Sequence, residues 1–293
     1  MITGGGHELA GHPLAGLPYV DQIGPGGRTE RRYLALLHAP QETAAMRAAP
    51  TWASTGLKPV PRDGWPRLAF ERVYTQIPIL NQMQNGACVA FTGTTAALLA
   101  YARSGAPYHA LSPWFLYTLI NDGVDHGSYA DRCIQALTDY GICEDSYVPA
   151  GTIAPFGYSA AARANAEHYR LCSAIRLTIH AGDQTLSEVL TSLALGYTVF
   201  MDVQAGPGFD TGPDGTLAYL GSFTNHEIAA GEGIRFDSRG EPQIQIRNSW
   251  DDYWGEGGFA WATAAHLLAS RQLWALTAMR AHRADLADVV PLA

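Results

Sequence analysis

The chain has no run of 18 consecutive apolar residues, so no membrane-spanning helix is expected. It has no long basic run either, and a net charge of −8 makes nucleic acid and anionic membrane poor partners. Cysteine is scarce. Cys88, Cys133, Cys143 and Cys172 lie far apart with no C-x-x-C pair, which argues against a zinc knuckle or a dithiol couple. Charged residues make up only 16% against 47% hydrophobic, which excludes a disordered chain and fits one large domain or two lobes. The opening stretch Met1 to Glu8 carries neither a basic region nor an apolar core, so a secretory signal is not expected. Together with the scattered thiols this leads to an expected location in the cytoplasm or another reducing compartment.

What is present divides into three stretches. Residues 1–72 hold eight of the 17 prolines and several Gly pairs, a density that breaks regular structure. Tyr19, Tyr33 and Trp52 give this arm apolar anchors, and short helices are expected over Arg31–His38 and Gln41–Ala48. The arm is expected to act as a pro-segment or a docking arm, in contact with the cleft or with a partner protein. Residues 73–180 read as helical: one helix from Cys88 to Arg103, and one opened by Ser112 as N-cap with Pro113 at its first position. Two more follow, over Tyr129–Tyr140 with Gly141 at its end and over Ser159–Leu171. Residues 181–293 open with an amphipathic helix over Thr185–Leu195. β-type runs follow at Tyr197–Val203, Asn225–Ile234, Gln243–Arg247, Gly258–Trp261 and Leu273–Met279. The expected fold class is α+β, with a helical lobe, then a β lobe, and a cleft between them.

The stretch Asn81-Gln82-Met83-Gln84-Asn85-Gly86-Ala87-Cys88 places a thiol after a turn and at the head of a helix, where the macrodipole favours thiolate. Gln82 brings a neutral donor amide close by, so nucleophile and donor form half of an acyl-transfer site. Taken alone, Cys88 reads as an inert thiol heading a core helix, because free cysteine is among the most buried residue types. A base changes that balance. His226 opens an apolar strand and Asn248 follows another, and Cys88, His226 and Asn248 make a thiol–imidazole pair with an orienting amide. By themselves His226 reads as structural and Asn248 as a turn residue.

These segments resemble the papain-type cysteine peptidases. Asn81 to Phe91 is similar to their nucleophile segment, Asn225-His226 to their histidine strand, and Asn248-Ser249-Trp250 with Trp254 to Phe259 to their asparagine signature. The order agrees, with 138 residues from Cys88 to His226 and 22 from His226 to Asn248. Leu111-Ser112, Gly127-Ser128-Tyr129 and Tyr140-Gly141-Ile142 also have counterparts, so the resemblance spans about 73–279. It implies a papain-like two-lobed fold with a β-barrel-like second lobe, and a cysteine endopeptidase acting on peptide or protein substrates without a cofactor. It also implies roles: Cys88 nucleophile, His226 base and acid, Asn248 orienter, Trp250 shield, Gln82 oxyanion donor, and Gly127 and Ser128 at the substrate backbone.

The sequence departs from the family pattern in places. Asn85 stands where a disulfide-forming cysteine is common, with no replacement pair evident, which implies stability from packing alone. Val89 replaces a Trp, and Gly127-Ser128 replaces a Gly pair. No metal is expected: Asp251-Asp252 read as a solvated turn, and His7, Glu8 and His12 as a flexible end. Cys133, Cys143 and Cys172 read as inert core thiols. An acyl transferase or peptide ligase with the same triad, and a non-catalytic component of a larger assembly, remain as alternatives.

Overall fold

The computed structural model describes residues 19–23, 27–33, 47–71, 74, 76–154, 159–206, 209–218, 220 and 224–279. In chain order, the strands β1 (Tyr19–Ile23) and β2 (Thr29–Tyr33) form an antiparallel hairpin, followed by α1 (Trp52–Thr55), a 3₁₀ stretch Arg62–Leu68 and β3 (Phe70–Glu71). Helices α2 (Cys88–Arg103), α3 (Pro113–Ile120), α4 (Ala130–Asp139) and α5 (Ala160–Ala166) build one lobe. The rest runs β4 (Leu171–Arg176), α6 (Asp183–Ala194), β5 (Thr198–Val203), β6 (His226–Phe236), β7 (Pro242–Arg247), β8 (Phe259–Thr263), α7 (Ala264–Ala269) and β9 (Leu273–Met279).

Helix α2 is the axis of the first lobe. Every residue from Cys88 to Leu99 is buried, and the small side chains Ala90, Gly93, Ala96 and Ala97 let its neighbours come close. At Gly93 an added Cβ would lie 2.5 Å from Cys133 Sγ and 2.9 Å from Leu116 Cδ2. Alanine there gains about 1 kcal/mol of helix propensity, but overpacking of about 1–3 kcal/mol opposes it. The expected result for Gly93→Ala is a net loss of up to about 2 kcal/mol in urea unfolding. Helix α3 begins as its sequence predicts, with Ser112 Oγ accepting from Phe115 N at 3.2 Å and Pro113 at the first helical position.

The second lobe is a seven-stranded antiparallel sheet in the order β4-β9-β5-β6-β7-β8, with β3 added to the far end of β6. Strand β5 is buried along its whole length, the polar Thr198 and Asp202 included. Val199 and Met201 enter the core of the β lobe, while Phe200, with Trp274 and Leu276 of β9, joins the core around α2. One sheet therefore serves both cores, and α2 lies across it.

Two of the expected helices change, and a third lies largely outside the described residues. Arg31 to Tyr33 are strand, not the start of a helix, because Thr29–Tyr33 pairs in register with Tyr19–Ile23; 34–38 lie outside the described residues. The helix expected over Gln41–Ala48 shows its last two residues, and the others lie outside the described residues. The helix expected to reach Leu171 ends at Ala166. Leu171–Arg176 is a strand at the sheet edge, so the first-lobe stretch is not helical throughout. Part of the arm is core: Trp52 and Trp65 are buried in the second lobe, and Trp65 Nε1 donates to Val60 O and Ser187 Oγ, both at 3.1 Å.

Candidate active site

Cys88 opens α2, whose first turn has no side-chain cap, so its leading backbone N–H groups remain available to an anion in front of the helix. One turn on, Thr92 Oγ1 donates to the Glu227 carbonyl at 2.9 Å. Glu227 follows His226, so this bond sets the head of the helix against the head of β6. Cys88 and His226 are both fully buried.

The His226 ring has a defined protonation state. Asn248 Oδ1 accepts from Ser249 N at 2.8 Å, and that backbone donor identifies the atom as oxygen. His226 Nε2 lies 2.8 Å from the same Oδ1 and therefore donates to it. The neutral ring must then carry its lone pair on Nδ1, which is buried and has no hydrogen-bond partner among the described residues. Burial pulls the His226 pKa down to about 4, and the Asn248 bond works in the opposite direction. Trp250 covers the ring with centroids 4.9 Å apart, and Phe209 meets it edge-on at 6.0 Å. Phe209 also stacks on Trp254, whose Nε1 donates to the Phe209 carbonyl at 2.8 Å.

A stability prediction follows from that ring. Its folded pKa lies below the ordinary 6.5, so the folded state prefers the uncharged form. The contribution is complete above pH 6.5 and is lost as pH falls towards 4, up to roughly 3 kcal/mol. Glu227 acts with the opposite sign. Burial first, and then the charge of Asp202 across the sheet, hold its carboxyl well above the ordinary range, so its contribution is lost as pH rises. The expected result is that His226→Gln flattens the acid limb of a denaturant-midpoint profile and leaves the alkaline limb in place.

Gln82 is fully buried between the two motifs. Its Nε2 donates to Asn85 O at 2.9 Å, its Oε1 accepts from Ser249 Oγ at 2.7 Å, and its backbone N donates to Ser249 O at 2.9 Å. The amide is thus fixed with one N–H still available. The two loops are stitched further by an Asn81–Trp250 bridge and by Asn81 Nδ2 donating to Asp251 Oδ2 at 2.8 Å. Asp251 is therefore a tie, not a freely solvated turn residue. Behind them the buried Glu232–Arg247 ion pair at 2.5 Å lets Arg247 Nη1 hold Ile77 O at 2.8 Å, which fixes the entry to the Cys88 loop.

Gly127 has φ +93°, a left-handed value that suits glycine, and its N–H donates to Tyr117 Oη at 3.3 Å. Ser128 is buried, with its Oγ donating to Ile120 O at 2.7 Å, so the hydroxyl is internal. The expectation of packing alone at Asn85 is corrected here. Asp125 accepts from Asn85 Nδ2 (2.8 Å), Gly86 N (2.9 Å) and Tyr117 Oη (2.6 Å). A polar knot joins the loop before Cys88 to the Gly127 loop. Sequence reasoning missed Asp125, Phe209 and Ser249; only Ser249 carried a local signal, inside the Asn-Ser-Trp motif.

Cys133 and Cys143 are, like Cys88, fully buried. Burial pushes Cys133 far up and Cys143 up to about 12, which keeps both protonated. Cys172 lies on β4, and its side chain is outside the described residues, as are His7, Glu8 and His12. Among the described residues no three His, Cys, Asp or Glu side chains gather as a metal site, and no helix is long and apolar enough to cross a membrane.

No protein-family model matches the sequence, and no curated protein matches it. Solved structures do match. Xylellain, a cysteine protease from Xylella fastidiosa, aligns at TM-score 0.62 and 16% identity over 87% of this chain and 99% of that one. Digestive procathepsin L 3 of Tenebrio molitor larval midgut aligns at 0.58 and 19% over 71% and 69%. The Carica candamarcensis cysteine protease CMS1MS2, in complex with E-64, aligns at 0.54 and 19% over 69% and 93%. Identities at this level speak for the fold alone. The chain is an α+β protein with the two-lobed papain-like fold of these cysteine proteases.

Proposed function

We propose that the chain is a papain-like cysteine endopeptidase that cleaves peptide bonds through Cys88, His226 and Asn248. Cys88 gives its proton to His226 Nδ1, and the thiolate attacks the scissile carbonyl. The Cys88 backbone N–H and the free Gln82 Nε2 hydrogen hold the resulting oxyanion, an arrangement worth roughly 10²–10³-fold per donor. His226 then protonates the leaving amine, and a thioester remains on Cys88. Water, activated by His226, releases the acid and restores the thiol. Trp250 and Phe209 keep water from the His226–Asn248 bond. Gly127 and Ser128 form the wall along the substrate, with their main chain meeting it, since the Ser128 hydroxyl is internal.

The single observation that carries this reading is Asn248 Oδ1, which takes both Ser249 N and His226 Nε2 and so leaves the ring nitrogen Nδ1 as a base. The test is alkylation by an epoxide or iodoacetamide followed by peptide mapping. The expected result is that Cys88 is modified far faster than the other three cysteines and that His226→Ala abolishes the difference. Equal labelling of all four removes the proposal. Product analysis with an added amine separates hydrolysis from transfer to that amine.

A further inference from the structure

The β1–β2 hairpin ends on the loop that carries Gln82. Arg32, on β2, is 1% exposed, and its two terminal nitrogens make its hydrogen bonds while Nε is buried with no partner among the described residues. Its Nη1 donates to Asn81 Oδ1 at 2.9 Å and to Met83 O at 2.8 Å, the residues on either side of Gln82. Its Nη2 donates to Glu30 Oε2 at 2.6 Å and to the Tyr253 hydroxyl, which itself donates to Glu30 Oε2 at 2.5 Å. One guanidinium thus ties the hairpin to the loops that precede Cys88 and follow Asn248, using the forked donor geometry that a lysine lacks.

The loop needs such a tie. Met83 sits at φ +55°, a left-handed conformation that costs a non-glycine residue about 1–2 kcal/mol. Its side chain is 47% exposed and does not anchor the turn. What holds it is hydrogen bonding: Met83 N donates to Asn81 Oδ1 at 2.8 Å, and Met83 O accepts from Arg32. Asn81 Oδ1 is shared between these two donors, so Arg32 holds both ends of the turn that aims the Gln82 amide.

We propose that the β1–β2 hairpin is a clamp on the Gln82 loop, and that Arg32 is a positioning residue for the oxyanion donor. The clamp rests on the reading of Cys88 as an acyl-transfer nucleophile, but its mechanical half stands apart from turnover. It gives the arm a sign opposite to that of a strap laid over the nucleophile: loosening the hairpin lowers activity.

The test uses the full chain with Arg32→Ala, Arg32→Lys and Tyr253→Phe. Amide hydrogen exchange over residues 80–87 is expected to speed at least ten-fold in Arg32→Ala and less in the other two. On a fluorogenic peptide, kcat is expected to fall roughly ten- to hundred-fold in Arg32→Ala with KM within about two-fold, because only the transition state carries the oxyanion. Arg32→Lys falls between. Iodoacetamide alkylation of Cys88 is expected to keep its rate, since displacement at an alkyl carbon develops no oxyanion. Unchanged exchange over 80–87 overturns the clamp, and so does a rise in kcat or a change confined to KM. If the unsubstituted chain shows no turnover, the peptidase reading fails, and the exchange experiment still decides the clamp. Should Arg32→Ala not fold, Tyr253→Phe and Arg32→Lys decide it on the same readouts.

Discussion

Cys88→Ala and His226→Ala are each expected to reduce peptide hydrolysis at least 10⁴-fold, with far-UV circular dichroism unchanged. The size follows from how the pair works. The thiol needs a base to become thiolate, and the ring nitrogen Nδ1 is a base only while Nε2 stays bonded to Asn248 Oδ1. Removing either partner removes the same step, so the double variant is expected to be no worse than either single one. Asn248→Ala is milder, because the ring keeps its packing against Trp250 and Phe209 and loses only its tautomer control. A Cys88→Ala variant that retained more than a hundredth of the activity would place the chemistry elsewhere.

The second large effect falls on stability. Asp125→Ala is expected to cost about 3–5 kcal/mol, read as a fall in Tm on the order of 10 °C. Three donors lose their acceptor at once: Asn85 Nδ2, Gly86 N and Tyr117 Oη. Tyr117 is fully buried and has nowhere else in the knot to turn its hydroxyl, whose pKa burial and Asp125 together push up. Leaving such groups unpaired outweighs the modest net gain of a made hydrogen bond, which is why the expected cost exceeds that of a surface carboxylate. Tyr117→Phe removes the bond to Asp125 and the longer one from Gly127 N, and is expected to cost about 1–2 kcal/mol. Equal effects from the two variants would show that Asp125 is not the hub of the knot.

Much of the fold is legible in the sequence, and the reason is local. The β-lobe strands are apolar runs punctuated by Gly and Pro, and the Thr198–Val203 and Leu273–Met279 runs sit within a residue of their expected bounds. Helix α3 announces itself through Ser112 and Pro113. The misread elements lack such marks. Leu171–Arg176 follows an Ala-rich helix without a Gly or Pro break, so nothing local signals its change to a strand. Arg31 to Tyr33 precede a Leu/Ala-rich run that favours helix, and pairing with β1 overrides the propensity.

The candidate site divides in the same way. Cys88, His226, Asn248 and Gln82 lie in motifs whose order and spacing are readable along the chain. The groups that fix them act across the chain: Asp125 reaches Asn85 from forty residues on, and Ser249 reaches Gln82 from 167. Phe209 stands in a loop of Gly, Pro and Asp where nothing forecasts an aromatic lid over His226. Side chains that serve one another over such distances leave no periodic trace.

The Asp125 knot also bears on how the protein tolerates its redox surroundings. A thiol nucleophile needs reductant to stay usable, while a cleft wall tied by a cystine needs the absence of it. Here the tie at Asn85 consists of hydrogen bonds, which offer a thiolate no sulfur to attack. The same buffer can therefore keep Cys88 reduced and leave the wall standing, and activity plotted against dithiothreitol should rise to a plateau without a downturn.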